Sequence, residues 1–98
     1  MDKDLKNGFE LLGVKFTEDS TYEDIERWLL KTHLICFKPK INGQKLLKFE
    51  CHPWLINKHE GKVISYSLCK YTGEHKTVFG AYISGLRGAL EYLNRAKP

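Results

Sequence analysis

The sequence predicts an α+β fold: a two-layer sandwich with one or two N-terminal helices, a four-stranded, mostly antiparallel sheet of two hairpins, and a C-terminal helix. Three observations predict it. Residues 62–93 alternate between apolar and polar positions like a hairpin and then continue as a helical apolar stripe. The dipeptide Asn42-Gly43 is a strong turn signal for another hairpin. Helical spacing with a capping pattern precedes both hairpins.

Two helices are predicted before the first strand. Residues 4–12 are expected to form a short helix, which Gly8 weakens. The second helix is expected from Thr21 to about residue 32, because Ser20 and Glu23 have the spacing of a capping box. Its predicted buried side consists of Tyr22, Ile25, Trp28 and Leu29.

Residues 34–51 are predicted to form the first hairpin. Pairing Ile41 with Gln44 across the Asn42-Gly43 turn places Lys40 opposite Lys45. The same register puts Cys36 and Cys51 on one face of the hairpin.

Two prolines bear on the strands around this hairpin. Pro39 cannot donate a ladder hydrogen bond, so its strand is expected at a sheet edge. Pro53 is expected to bend or interrupt the chain, which then resumes as extended residues 54–56 and turns back over residues 57–61.

The second hairpin and the last helix are predicted as a continuous unit. Residues 72–75 form its loop, so that Tyr71 faces Lys76 and Ile64 faces Ile83. Ser84 stands at the expected helix N-cap. The helical stripe after it consists of Leu86, Ala89, Leu90 and Leu93.

Length and composition indicate a single domain over residues 1–98. The net charge of +4 and the pI of about 9.0 favour an anionic partner. No apolar run approaches the length of a membrane span, and the N-terminal residues do not form a signal peptide, so we expect a cytoplasmic protein without membrane contact. The odd count of three cysteines argues against a disulfide framework.

The candidate binding surface is the basic hairpin around Asn42-Gly43. Like charges on opposed strands are destabilising, so crowded lysines suggest contact with phosphate or carboxylate groups. The alternative is that lysines protect an exposed sheet edge from aggregation. Two aromatic residues nearby could stack on nucleic-acid bases. The candidate binding residues are Lys38, Lys40, Lys45, Lys48, Phe37 and Trp54.

Metal binding and catalysis receive less support. The cysteine and histidine residues lack the close paired spacing of a zinc site, so we expect no metal and no cofactor. The residues that could contribute to such a site are His33, Cys36, Cys51, His52, Cys69 and His75. No phosphate-binding loop, zinc-protease motif or nucleophile elbow occurs, so no catalytic residue is assigned and no enzyme is expected.

The block at residues 81–93, AYISGLRGALEYL, follows a lysine-flanked hairpin and resembles a pattern of small phage and mobile-element proteins. The resemblance implies an accessory factor that binds a host macromolecule, in the host cytoplasm if the chain is phage-encoded. The hairpin-then-helix ending is also similar to double-stranded-RNA-binding domains. Their lysine-rich helix start is missing, because Ser84, Gly85, Leu86 and Arg87 stand there.

The sequence therefore predicts a non-catalytic macromolecule-binding accessory protein. Its expected partner is a host protein or nucleoprotein, such as a defence complex that it could inhibit. The alternative is a nucleic-acid-binding module that uses the lysine-rich hairpin.

Overall fold

The computed structural model describes residues 1–42, 48–59, 62–67 and 77–96. Within these ranges the chain forms helices α1 (Lys3–Leu11), α2 (Tyr22–His33) and α3 (Val78–Ala96) and strands β1 (Ile35–Asn42), β2 (Lys48–His59) and β3 (Lys62–Ser67). The strands form an antiparallel sheet in the order β1-β2-β3, so β2 is central.

The predicted four-stranded sandwich is wrong. In the part of the chain that the structure describes, the sheet has three strands, and helices of 9, 12 and 19 residues outweigh strands of 8, 12 and 6 residues. Residues 78–83, expected to be the fourth strand opposite β3, are the first turns of α3. Strand β3 pairs with β2 instead. The loop expected at residues 72–75 lies outside the described residues.

Helix α3 begins earlier than predicted because Thr77 caps it. The Thr77 hydroxyl accepts a hydrogen bond from the Gly80 N–H at 3.0 Å, and Ser84, the predicted cap, lies inside the helix. Residues 78–83 are rich in strand-favouring types, but the buried residues of α3 follow helical spacing, and tertiary packing overrides local propensity. These buried apolar residues are Ala81, Leu86, Ala89 and Leu93.

Helices α1 and α2 occupy the predicted segments and are capped by acidic side chains. The Asp2 carboxylate accepts hydrogen bonds from the N–H groups of Asp4 at 2.9 Å and Leu5 at 3.1 Å. At α2 the Asp24 carboxylate accepts from the Thr21 N–H at 2.8 Å, one residue later than the predicted pair of Ser20 and Glu23.

The helices pack on one face of the sheet through a shared core. Ile35 of β1 is fully buried in this core, so the helices lie on the face that carries Ile35. Of the four residues predicted to be buried on α2, Ile25 and Leu29 are fully buried and Tyr22 and Trp28 are half-buried. The described core cluster consists of Leu5, Phe9, Val14, Ile25, Leu29, Ile35, Leu86, Ala89 and Leu93.

The register of β1 and β2 differs from the predicted hairpin. Lys40 lies opposite Glu50, and Asn42 lies opposite Lys48. Asn42 is therefore a strand residue, and the two-residue turn pairing Ile41 with Gln44 is wrong. Residues 43–47, which include Lys45, lie outside the described residues.

The hydrogen-bond pattern of the sheet shows which side of its strand each proline faces. The Ile56 N–H donates to the Leu34 carbonyl at 2.8 Å, so even-numbered residues of β1 and β2 bond to each other. Pro39 is odd-numbered and faces the free edge of β1, which agrees with its predicted edge position. Pro53 faces the β3 side, where described pairing extends only to Trp54. The predicted interruption at Pro53 is wrong, since β2 continues through it to His59.

Candidate binding face on the sheet

The register divides the strand residues into two sets, because neighbouring residues of a strand point to opposite faces. One set includes Ile35 and lies on the face that the helices cover. We name the opposite side the open face. By register it carries Cys36, Lys38, Lys40, Asn42, Lys48, Glu50, His52, Trp54, Ile56, Lys58, Val63, Ser65 and Ser67.

The open face concentrates positive charge. It carries Lys38, Lys40, Lys48 and Lys58 against one acidic residue, Glu50. With histidine neutral, these described residues amount to +3, while the whole chain carries +4. A sheet face with charge of one sign favours association with partners of the opposite sign.

Trp54 lies at the middle of this face, on the central strand. Its register partners are Cys36 on β1 and Ser67 on β3. Lys38 is two residues beyond Cys36, so it is the diagonal neighbour of Trp54, at a typical spacing of about 7–8 Å. The face thus has an aromatic position at its centre and lysines around it.

The structure brings together four of the six predicted binding residues. Lys38, Lys40, Lys48 and Trp54 share the open face by register, although the predicted repulsive pairing of Lys40 with Lys45 is wrong.

The other two predicted residues do not join them. Phe37 lies on the helix-covered face, where it is half-buried and its ring meets that of Tyr82 edge-to-face at 6.2 Å between centroids. Lys45 lies outside the described residues.

Two residues of the open face are absent from the predicted binding set, although one of them, His52, was considered as a zinc ligand. His52 and Lys58 belong to the same alternating run along β2 as Lys48 and Trp54. The period-two pattern from residue 48 to residue 58 was the signal for them. A break at Pro53, as expected from the sequence, would place His52 and Lys58 in separate segments, so the alternating pattern was not extended across Pro53.

The cysteine arrangement also differs from the prediction. Cys36 pairs with Trp54, which belongs to the open face by register. Cys51 pairs with Pro39, which belongs to the helix-covered face, so the two cysteines do not share a face. Cys36 is a half-buried free thiol. Within the described residues, no group of three or more His, Cys, Asp or Glu side chains could hold a metal ion.

Polar contacts in the helical layer join elements distant in sequence. The Tyr82 hydroxyl donates to Oε2 of Glu26 at 2.7 Å, which links α3 to α2. Arg87 of α3 pairs with Asp2 at 2.7 Å. The N–H of Leu5 lowers the pKa of the Asp2 carboxyl most, desolvation opposes it, and the charge of Arg87 lowers the pKa further. Both contacts hold helices together and lie away from the open face.

Comparison with protein-family models, curated proteins and solved structures found no match to this chain. Among the helices of the described residues, none combines the length and the apolar character needed to cross a membrane.

Proposed function

We propose that this protein is a non-catalytic, macromolecule-binding accessory protein that uses the open face to occupy a negatively charged surface of a host protein or nucleoprotein. The observation that carries the proposal is the placement of Lys38, Lys40, Lys48 and Lys58 on one face by the strand register. A broad sheet face suits contact with a large surface better than it suits catalysis, which needs groups converging on a cleft.

The placement of Glu50 removes the repulsion that was predicted for Lys40. In the observed register Glu50 opposes Lys40, an arrangement that stabilises the sheet instead of straining it. Lys48 pairs with Asn42 of β1, and Lys58 pairs with Val63 of β3.

Electrostatic complementarity chiefly raises the association rate and the specificity of such a contact. A partner that presents carboxylates or phosphates would approach the open face faster than the helical layer. Its binding should weaken as salt is added, since exposed charges more than about 8–10 Å apart are screened at physiological ionic strength.

The proposal is tested by comparing a variant that loses positive charge on the open face with a control variant that loses the same charge elsewhere. The test variant replaces Lys38, Lys40, Lys48 and Lys58 with glutamine. The control replaces the same number of helical-layer or N-terminal lysines, namely Lys3, Lys6, Lys15 and Lys31, so that the net charge falls equally.

The measurement is affinity capture from host lysate with all three proteins, followed by identification of the retained macromolecules. We expect the specific partner to be lost with the open-face variant and kept with the control variant. Both variants must be folded by circular dichroism. Equal loss would show that net charge alone acts, equal retention would show that the open-face lysines are not needed, and either result would overturn the proposal.

A further inference from the structure

We infer that this protein forms a homodimer in which the outer side of α2 packs antiparallel against the same side of a second copy. The feature that carries the inference is a line of four exposed residues on α2 and its C-cap, which we name the outer seam: Glu23, Arg27, Leu30 and Leu34. This surface is separate from the open face, and the inference goes beyond the proposed function.

The outer seam has the spacing of a helix–helix contact. Its residues follow one another at intervals of four, three and four positions, which keeps them on one side of the helix. Ile25 and Leu29 lie on a different side of α2 and are fully buried in the core. The outer seam therefore faces away from the core of its own chain.

The two leucines of the outer seam are exposed in the single chain. Leu30 is 45% exposed and Leu34 is 51% exposed. Leu34 also adopts the left-handed conformation, which glycine or asparagine adopts at lower cost. Neither core packing nor backbone conformation accounts for a leucine at position 34. A contact between two copies would remove both side chains from water.

A groove on α2 fits a leucine from a facing helix. It has a volume of about 250 Å³ and is lined by Glu23, Glu26, Arg27 and Leu30. Residues at positions i, i+3, i+4 and i+7 are the four that enclose one side chain in knobs-into-holes packing. The outer seam therefore offers both a projecting leucine and a recess for one, so the surface is complementary to itself.

An antiparallel pair brings these features together. Leu30 of each copy enters the groove of the other and lies opposite Arg27, while Leu34 lies opposite Glu23. The aliphatic stem of Arg27 can cover the leucine while its guanidinium stays in water. A two-fold axis relates the two contacts, as in the commonest class of homo-oligomer.

The charges of α2 favour the antiparallel orientation and a second copy as the partner. The first turn is acidic, with Glu23 and Asp24, and the last turn is basic, with Lys31 and His33. Antiparallel helices place each acidic turn beside the basic turn of the other copy, whereas parallel helices place like charges together. Among the described residues no carboxylate pairs with Lys31 within one chain, so Lys31 is available to Asp24 of the second copy.

The contact is small, so the dimer should be weak and concentration-dependent. Two helices of 12 residues bury less than the roughly 1,600 Å² of a standard protein–protein interface. Because α2 belongs to the helical layer, the dimer leaves the open face of each copy uncovered.

Sedimentation equilibrium over a series of concentrations from micromolar to millimolar tests the inference. We expect the average mass to rise from that of one chain toward that of two. Leu30→Ala should raise the dissociation constant about tenfold or more, because it removes the side chain at the centre of the contact. Leu11→Ala is the matched control, since Leu11 is 83% exposed on α1, and it should leave dimerisation unchanged.

Two results would overturn the inference, provided that both variants are folded by circular dichroism. The mass of one chain at every concentration would leave the outer seam to another protein or to solvent. A dimer that Leu30→Ala does not weaken would form through a different surface.

Isotope-filtered nuclear Overhauser effects in a mixture of labelled and unlabelled wild type test the orientation without any substitution. We expect intermolecular cross-peaks between the methyl groups of Leu30 and the side chain of Arg27. Cross-peaks between Leu34 of one copy and Leu34 of the other would indicate parallel helices and would contradict the inference.

The variants of the capture experiment separate this inference from the proposed function. The control variant carries Lys31→Gln, so it should dimerise more weakly than the wild type while it still retains the host partner. The open-face variant should lose the partner and dimerise as the wild type does. Loss of dimerisation with the open-face variant would place the contact on the sheet and would overturn the inference.

Discussion

Gly8 on α1 lies directly against Leu90 on α3. A Cβ built on Gly8 would be 2.5 Å from Cδ2 of Leu90 and 3.3 Å from its Cγ. The two helices approach closely here because one of them has no side chain. A glycine inside a short helix looks like a weakness in sequence terms, but at this position it permits the helix contact.

Gly8→Ala should destabilise the fold by about 1 kcal/mol. The gain in helix preference, about 0.5–1 kcal/mol, is smaller than the usual cost of overpacking, about 1–3 kcal/mol. Adding Leu90→Ala should make room for the new methyl group, so the double variant should lose less stability than the sum of the single variants. Urea denaturation of all four proteins measures this coupling, and strictly additive losses would contradict the contact.

Stability should depend on Asp2 at acidic pH. The Leu5 N–H, aided by Arg87, lowers the pKa of this carboxyl in the folded protein. A lowered folded-state pKa gives stability that is fully present above the unfolded-state pKa and is lost as pH falls through the folded-state pKa.

Asp2→Asn keeps an acceptor for the helix cap and removes the charge, whereas Asp2→Ala removes both. At neutral pH we expect the wild type to be most stable and Asp2→Ala least stable. On acidification the wild type and Asp2→Asn should converge. Thermal melts across this pH range measure the effect, and parallel curves for the two proteins would contradict it.

The start of α3 can be tested at Thr77. Thr77→Ala should cost about 0.5–2 kcal/mol, because it removes the hydroxyl that accepts the Gly80 N–H. Thr77→Ser keeps the hydroxyl and serves as the matched control. Chemical denaturation should separate the two variants, and equal stability would mean that the helix does not begin there.

Leu34 ends α2 in the left-handed region, with φ of 56° and ψ of 35°. This conformation costs a non-glycine residue roughly 1–2 kcal/mol, and the side chain is half exposed, so little burial compensates. Leu34→Asn should therefore keep or raise stability, since asparagine tolerates this region. Leu34→Val should lower it. A loss with Leu34→Asn as large as that with Leu34→Val would show that the leucine side chain is needed.

The local features of the helices could be predicted from sequence, and the long-range pairing could not. The segments of α1 and α2 follow from apolar spacing and capping residues, and the edge position of β1 follows from Pro39. Residues 78–83 fit both a strand and a helix over so short a run. What decides for the helix is the packing of residues such as Leu86 and Ala89 against α1 and α2, which no local pattern contains.

The candidate site shows the same division. Charge and proximity in sequence were enough to select Lys38, Lys40, Lys48 and Trp54. Which of them share a face depends on the register, and the strong turn signal of Asn42-Gly43 gave a register that differs by an odd number of residues. Such a difference exchanges the faces of one strand relative to the other. Phe37 was selected by proximity alone, and the observed register places it on the helix-covered face.

The register of β1 and β2 is accordingly the central claim, and interstrand Hα–Hα nuclear Overhauser effects measure it directly. Short Hα–Hα distances occur at non-hydrogen-bonded antiparallel pairs, which in this register are the odd-numbered ones. We predict cross-peaks between Ile41 and Phe49 and between Pro39 and Cys51. Cross-peaks from Lys40 to Lys45 or from Lys38 to Leu47, the non-hydrogen-bonded pairs of the two-residue turn, would establish that turn, disperse the lysines of the open face and contradict the account.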